Sequence, residues 1–256
     1  MIKIENASFI YPDGHKAIDQ INLSIRDHET VGVVGANGAG KSTLLSLMIG
    51  INLVSEGKLY VNDLPIITEN LGNVRKAVGM VFQNPDDQLF MSTVYDDLAF
   101  GPVNYGISEA DTAKRVTTVL KLLNIEDLKD RAPHKLSGGE KRNVAIASVL
   151  TMEPVILLLD EPSSFLDPGC RRNLIGILKS LQLTQIIATH DLDLVLDVCD
   201  RVIVLKKGEI FADGIPAEIL TQVDLMAECG LEPPLSLKGC PIFITGNCTG
   251  SKGGLG

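Results

Sequence analysis

Gly35-Ala36-Asn37-Gly38-Ala39-Gly40-Lys41-Ser42 fits the spacing G-x-x-x-x-G-K-[ST], and what flanks it decides its meaning. Before it, Thr30-Val31-Gly32-Val33-Val34 is a short β-branched run that predicts a buried strand. After it, Thr43-Leu44-Leu45-Ser46-Leu47-Met48-Ile49 has helical character and stops at Gly50. A strand, a glycine loop and a helix N-terminus in that order aim several backbone N–H groups at one point. The helix dipole there favours an anion as well. The expected phosphate cradle is therefore Gly35, Asn37, Gly38, Gly40, Lys41, Ser42 and Thr43. In such a cradle Lys41 lies across the β- and γ-phosphates of a nucleotide, and Ser42 offers its hydroxyl to Mg²⁺.

The chain has 256 residues, enough for one large domain or two small ones, and a net charge of −9. A pI near 4.9 argues against broad nucleic-acid affinity, which rests on neutralising phosphates. No stretch approaches the ~20 apolar residues of a membrane span. Met1-Ile2-Lys3-Ile4-Glu5 lacks the order of a signal peptide, so a soluble cytoplasmic chain is expected. Cys170, Cys199, Cys229, Cys240 and Cys248 show no C-x-x-C spacing, which suits reduced thiols.

In chain order, residues 2–10 and 18–25 alternate apolar and polar and predict two antiparallel strands joined by the turn Tyr11-Pro12-Asp13-Gly14. Tyr11 is either a surface tyrosine or a platform for a nucleobase. Residues 56–61 predict a strand, and so do 78–82, which lead into Gln83. An amide at a strand's carboxyl end is placed to touch Mg²⁺ and an attacking water, since ligands gather at that edge of α/β sheets. Helical periodicity runs over 93–105 and 108–124, with Ser108 as N-cap and Val116, Val119, Leu120 and Leu123 on one face. Ser137-Gly138-Gly139 opens a helix and makes a second anion-seeking N-terminus, about a hundred residues after the first. Val155 to Asp160 predicts a buried strand ending in the carboxylates Asp160 and Glu161. With a phosphate loop upstream, Asp160 belongs near Mg²⁺ and Glu161 is placed to take a proton from water. A helix is expected over about 169–181, a strand over 184–189 ending at His190, and a hairpin over 201–212. Beyond ~230 the sequence turns irregular.

These motifs, in this order, resemble the nucleotide-binding subunit of ATP-binding-cassette (ABC) transporters, and the resemblance covers roughly residues 1–225. It implies a P-loop NTPase (RecA-like) α/β core with an antiparallel β subdomain and an inserted α-helical subdomain at about 92–153. The domain would span 1–230, with a tail at 231–256. It implies ATP and Mg²⁺ as ligands, Tyr11 as the adenine-stacking aromatic, Gln83 as the Q-loop residue, Glu161 as catalytic base and His190 as switch. Ser42, Gln83 and Asp160 would face the metal. Ser137, Gly138 and Gly139 would contact the γ-phosphate bound to the opposite protomer of a homodimer or paralogous heterodimer, with Asp167 crossing the interface. Integral membrane subunits would be the partners, on the inner face of the cell membrane.

Tyr11-Pro12-Asp13-Gly14, Phe82 to Phe90 and Asp97-Leu98-Ala99-Phe100-Gly101-Pro102 are similar to the ATPases of energy-coupling-factor importers, a group serving cobalt, nickel and vitamins. Two residues depart from the pattern. Glu140 replaces the usual signature glutamine, which puts a carboxylate near the partner's nucleotide. Phe165 replaces a small residue in the interface loop. Leu89 and Phe90 either tuck under the helix that starts near Thr93 or line a groove for a cytoplasmic helix of the membrane subunit, with Asp86 and Asp87 meeting its basic residues; the groove is the expectation. The competing reading, a soluble ABC-type ATPase acting on nucleic acid or ribosomes, sits poorly with one cassette, a short phosphate-loop-to-signature spacing and an acidic pI.

Overall fold

The computed structural model of this chain describes residues 1–237. Strands β1 (Ile2–Ile10) and β2 (Lys16–Ile25) pair antiparallel, as their alternating apolar residues require. Strand β3 (Thr30–Val34) is wholly buried and runs into the glycine loop and helix α1 (Lys41–Met48). Strand β4 (Glu56–Val61) joins the other edge of β1, and the two-residue β5 (Leu64–Pro65) completes a four-stranded sheet of order β2-β1-β4-β5.

Helix α2 (Leu71–Ala77) precedes β6 (Val78–Val81). Three helices follow: α3 (Val94–Asn104), α4 (Glu109–Leu123) and α5 (Gly138–Leu150). Ser108 caps α4 by accepting from the Asp111 N–H, and the four apolar residues of its predicted face are all buried. The chain then returns to the sheet as β7 (Ile156–Asp160), crosses by α6 (Pro168–Ser180) and enters β8 (Thr184–Ala188). Helix α7 (Leu192–Val198), the hairpin β9 (Arg201–Lys206) and β10 (Glu209–Gly214), and short helices α8 (Pro216–Ile219) and α9 (Val223–Glu228) finish the described chain.

The second sheet has order β10-β9-β3-β8-β7-β6, parallel except for β10. Its strands are near-continuous apolar runs because helices or the other sheet cover both faces. One core fills the space between the two sheets around α1, a second joins β7 and β8 to α3, α4 and α5, and a third lies under α7 and α9.

Register positions the site. Val33 pairs with Ala188, and Ala188 with Asp160, while Val81 pairs with Leu159. The carboxyl ends of four strands therefore fall level, and the residues just past them (Gly35, Glu161, His190 and Gln83) share one edge.

Two expectations change here. Leu89 is not a groove residue: it is 7% exposed and belongs to the helical core, because the turn Pro85–Asp87 folds it under α3. Phe90 is 63% exposed and packs edge-on against Phe100 at 4.9 Å, with its backbone N–H, like that of Met91, held by the buried Asp97 carboxylate. Burial pushes the Asp97 carboxyl above its usual range, against those two N–H bonds. Asp86, expected to meet a partner's basic residue, pairs with Lys141 of its own chain at 2.5 Å. Leu89→Ala should therefore cost about 2–5 kcal/mol of stability as a core truncation, whereas Phe90→Ala should stay within about 0.5 kcal/mol. Chemical denaturation of the two variants checks the split. Of the expected irregular tail, Leu235–Leu237 forms a short 3₁₀ turn, and Cys240 and Cys248 lie outside the described residues.

Candidate nucleotide site

A cleft of about 310 Å³ opens at the shared edge, lined by Tyr11, the phosphate loop, Gln83 and Glu161. Gly38 (φ 78°) and Gly40 (φ 105°) hold left-handed backbone, and a Cβ on Gly40 would meet the Ala17 carbonyl at 2.6 Å. Lys41 is buried, and its Nζ donates to the carbonyls of Gly35 (2.8 Å) and Ala36 (3.3 Å). The ammonium thus lies against the loop it would serve, satisfied by backbone oxygens that a phosphate can replace.

Tyr11 stands over α1, its hydroxyl 3.0 Å from the Thr43 hydroxyl, its ring edge-on to Phe9 and parallel to His15 at 6.3 Å. His15 also lines the cleft. It was not legible as a site residue, although its place one tight turn after Tyr11 puts it across the hairpin from that ring.

Asp160 is buried at the end of β7, hydrogen-bonded by the Ser42 hydroxyl, and its Oδ1 has no partner. Burial raises its carboxyl above the usual range, opposed by the Ser42 bond. A buried carboxylate oxygen left without a donor, beside a hydroxyl, fits a hard cation with oxygen ligands.

Glu161 holds φ 46°, a conformation that non-glycine residues seldom adopt away from functional sites. Its Oε2 accepts from the Thr189 hydroxyl (3.2 Å) and the His190 N–H (3.2 Å), and lies 2.7 Å from His190 Nδ1. β8 thus delivers three groups that fix this one carboxylate. His190 is tied in turn to the helix after the interface loop. Asp191 caps α7 and takes a two-point ion pair from Arg171 of α6, at 2.7 and 3.0 Å. Burial would raise the Asp191 carboxyl, but the Arg171 pair and the Leu194 N–H overcome it and hold it below the usual range.

Gln83 is exposed and lines the cleft, and its backbone is held from behind. Arg142, on α5 and 2% exposed, donates from Nη1 to the Phe82 carbonyl (2.7 Å) and from Nη2 to the Gln83 carbonyl (2.6 Å). Gln88 adds a second tie: it accepts from the Phe82 N–H and donates to the Ala145 carbonyl and Ser148 hydroxyl. Neither residue was singled out from sequence, because nothing local marks a contact spanning some sixty positions.

Ser137, Gly138, Gly139 and Asp167 are not brought to this cleft. Ser137 and Gly138 are exposed at the start of α5. Glu140, expected to put a carboxylate near the partner's nucleotide, folds back on the start of its own helix. Its Oε2 accepts from the Ser137 N–H at 2.7 Å while its own N–H donates to Ser137 Oγ, a reciprocal cap, and Arg131 approaches at 3.5 Å. The Ser137 N–H holds its carboxyl below the usual range. Asp167 Oδ1 caps α6 through the N–H groups of Gly169 and Cys170. Two residues earlier Phe165 stands 96% exposed at φ 63°.

A family model described as ABC transporter matches residues 18–164. The chain belongs to the ABC transporter family. The energy-coupling factor transporter ATP-binding protein EcfA of Carboxydothermus hydrogenoformans is 44% identical over 240 residues, 93% of this chain and 88% of its own length. CbiO1 from Clostridium perfringens, part of the ABC transporter complex CbiONQ, gives a TM-score of 0.80 at 40% identity, over 89% of this chain and 93% of that one. A dimeric ATP-binding cassette in a post-hydrolysis state, bound to ADP and Pi, gives 0.76 at 28%, over 84% and 99%. The fold is that of an ABC ATPase cassette, an ATP-binding P-loop NTPase, and the resemblance read from its motifs holds. No described helix is long and apolar enough to cross a membrane.

Proposed function

We propose that this chain is the ATP-hydrolysing subunit of an energy-coupling-factor type importer, acting as a dimer against membrane subunits at the inner face of the cell membrane. The observation that carries the chemistry is Glu161 held by His190 at 2.7 Å beside the phosphate loop. The 44% identity to an energy-coupling factor ATPase and the likeness to a subunit of CbiONQ support the transport role over a nucleic-acid or ribosome partner. The cargo class, cobalt or nickel ions or a vitamin, belongs to the membrane partner.

ATP in the cleft places its base on Tyr11, backed by His15, and its phosphates on the N–H groups of the loop. Lys41 exchanges two carbonyls for β- and γ-phosphate oxygens. Asp160 and Ser42 would hold Mg²⁺, with Gln83 at the same edge, and the bound ion would supply charge neutralisation for the phosphates. With Glu161 Oε2 engaged, its other oxygen takes the proton of the attacking water, while His190 keeps the carboxylate in place. Within one chain the Ser137-Gly138-Gly139 turn serves no phosphate, so the second protomer supplies it. The γ-phosphate then binds both protomers, and hydrolysis removes what joins them. Phe90, Phe100 and the partly exposed Met91 form the face offered to the membrane subunit.

Two variants test the sandwich. Lys41→Ala should weaken ATP binding about 10- to 100-fold through the loss of charge-assisted hydrogen bonds. Ser137→Arg should spare ATP binding by the single protomer and block pairing. Mixed together they rebuild one intact composite site, so ATP should drive a mixed dimer on size exclusion. A mixture that stays monomeric sinks the sandwich.

A further inference from the structure

Phe165 sits in the loop that links β7 to α6, between Glu161 and Asp167, and nothing in its own protomer covers it. At 96% exposure and φ 63°, it combines an unburied aromatic ring with a backbone conformation that bulky residues rarely hold. The loop fixes that conformation from both ends: the Glu161 N–H donates to the Ala188 carbonyl, and Asp167 caps α6. The ring is thus presented outward on a rigid stem.

With Ser163 and Ser164 it forms one wall of a cleft of about 430 Å³, whose other walls are the His190–Asp193 segment and residues 231–235. Leu192, Leu231, Pro233, Pro234 and Leu235 give it an apolar side, and His190, Asp191, Asp193 and Glu232 line the rest. Pro234 is buried against the body while Leu235 is 74% exposed, and the segment is pinned where the Ser236 N–H donates to Asp193 Oδ1 at 3.1 Å. An exposed aromatic and a cleft with an apolar side on one edge of the same chain suit a two-fold interface, since each copy can then insert into the other.

We propose that Phe165 is an aromatic latch that enters this cleft on a second copy of the chain when ATP closes the dimer. The reading rests on the proposed two-protomer sandwich and deepens it. Three observations choose a second copy as the occupant. The cleft contains His190, which holds Glu161, so it is continuous with the composite site. The solved relative with ADP and Pi is dimeric. The ring follows Glu161 by four residues, on a loop too short to carry it away from that edge. Insertion would bury the ring beside the partner's His190, so that pairing is felt at the residue that positions the base.

The test uses the full chain carrying Glu161→Gln, so that ATP is held and not spent. p-Benzoyl-phenylalanine replaces Phe165, half the protein is labelled with ¹⁵N, and the sample is irradiated with and without ATP and Mg²⁺. The expected product is an ATP-dependent cross-link between differently labelled chains, mapped to residues 190–193 or 231–237. Phe165→Ala in the same background should weaken ATP-driven dimerisation at least tenfold, with ATP binding by the monomer and its melting temperature unchanged. Cross-links confined to one chain or mapped elsewhere, or dimerisation within about twofold of the parent, overturn the latch while leaving the sandwich standing. If the parent with Phe165 intact does not dimerise in ATP, the sandwich and the latch fall together.

Discussion

Glu161→Gln is expected to lower ATP hydrolysis by about 10²–10⁴ while ATP still binds and the dimer accumulates. The substitution removes the basic carboxylate and keeps nearly the same volume. It leaves the phosphate loop, Lys41 and the Asp160–Ser42 pair untouched. A Gln amide oxygen can still accept from the Thr189 hydroxyl and the His190 N–H, which now meet Glu161 Oε2 at 3.2 Å. The strained backbone at position 161 should therefore survive the change. Steady-state hydrolysis and nucleotide-dependent size exclusion on the same preparation check both halves. A variant that keeps more than about a tenth of the parent rate removes Glu161 from the role of base. His190→Ala should give a smaller loss, because the Thr189 hydroxyl continues to hold the carboxylate.

Gln83, Asp160, Glu161 and His190 were legible because each follows directly on an apolar run, and parallel pairing puts the carboxyl ends of such runs side by side. That inference needs no knowledge of which strands are neighbours. Leu89 and Phe90 show its limit: two adjacent apolar residues look alike in sequence, and only the fold of the Pro85–Asp87 turn sends one inward and the other out. The cap made by Glu140 is legible in the sequence as well. Ser137-Gly138-Gly139-Glu140 has the S-x-x-E spacing of a reciprocal cap, which predicts a carboxylate folded back on the helix end. α2 and α7 went unseen for a plainer reason. At seven residues each they are two turns long, too short for a periodic face to stand out, and packing more than propensity makes them helical.

Arg142 is the residue whose replacement should separate binding from turnover most clearly. It carries a full charge at 2% exposure, and its two bonds end on the carbonyls of Phe82 and Gln83. Burial lowers its pKa and the charge of Asp160 opposes the shift, so the guanidinium also lies within the field of the proposed metal site. Its Nε has no partner, which removes part of what the buried charge gains. Arg142→Ala is expected to cost about 3–5 kcal/mol in stability, the range for breaking a buried charged contact and leaving a cavity. Arg142→Met is the sharper test. It fills most of the space without the charge, so stability should fall by less than in the alanine variant. The tie between α5 and Gln83 is lost in both. Because Ser137 caps α5, that tie joins the turn proposed to face the partner's nucleotide to Gln83, proposed to face the metal. Without it, ATP should bind the phosphate loop of the single protomer with near-parent affinity. Turnover should drop at least tenfold, because Gln83 and the partner-facing turn no longer hold a common geometry. Equilibrium ATP binding, kcat and a denaturation curve on the methionine variant distinguish the cases. A loss of ATP affinity equal to the loss of kcat would assign Arg142 to the phosphate cradle, and an unchanged kcat would leave it a packing residue.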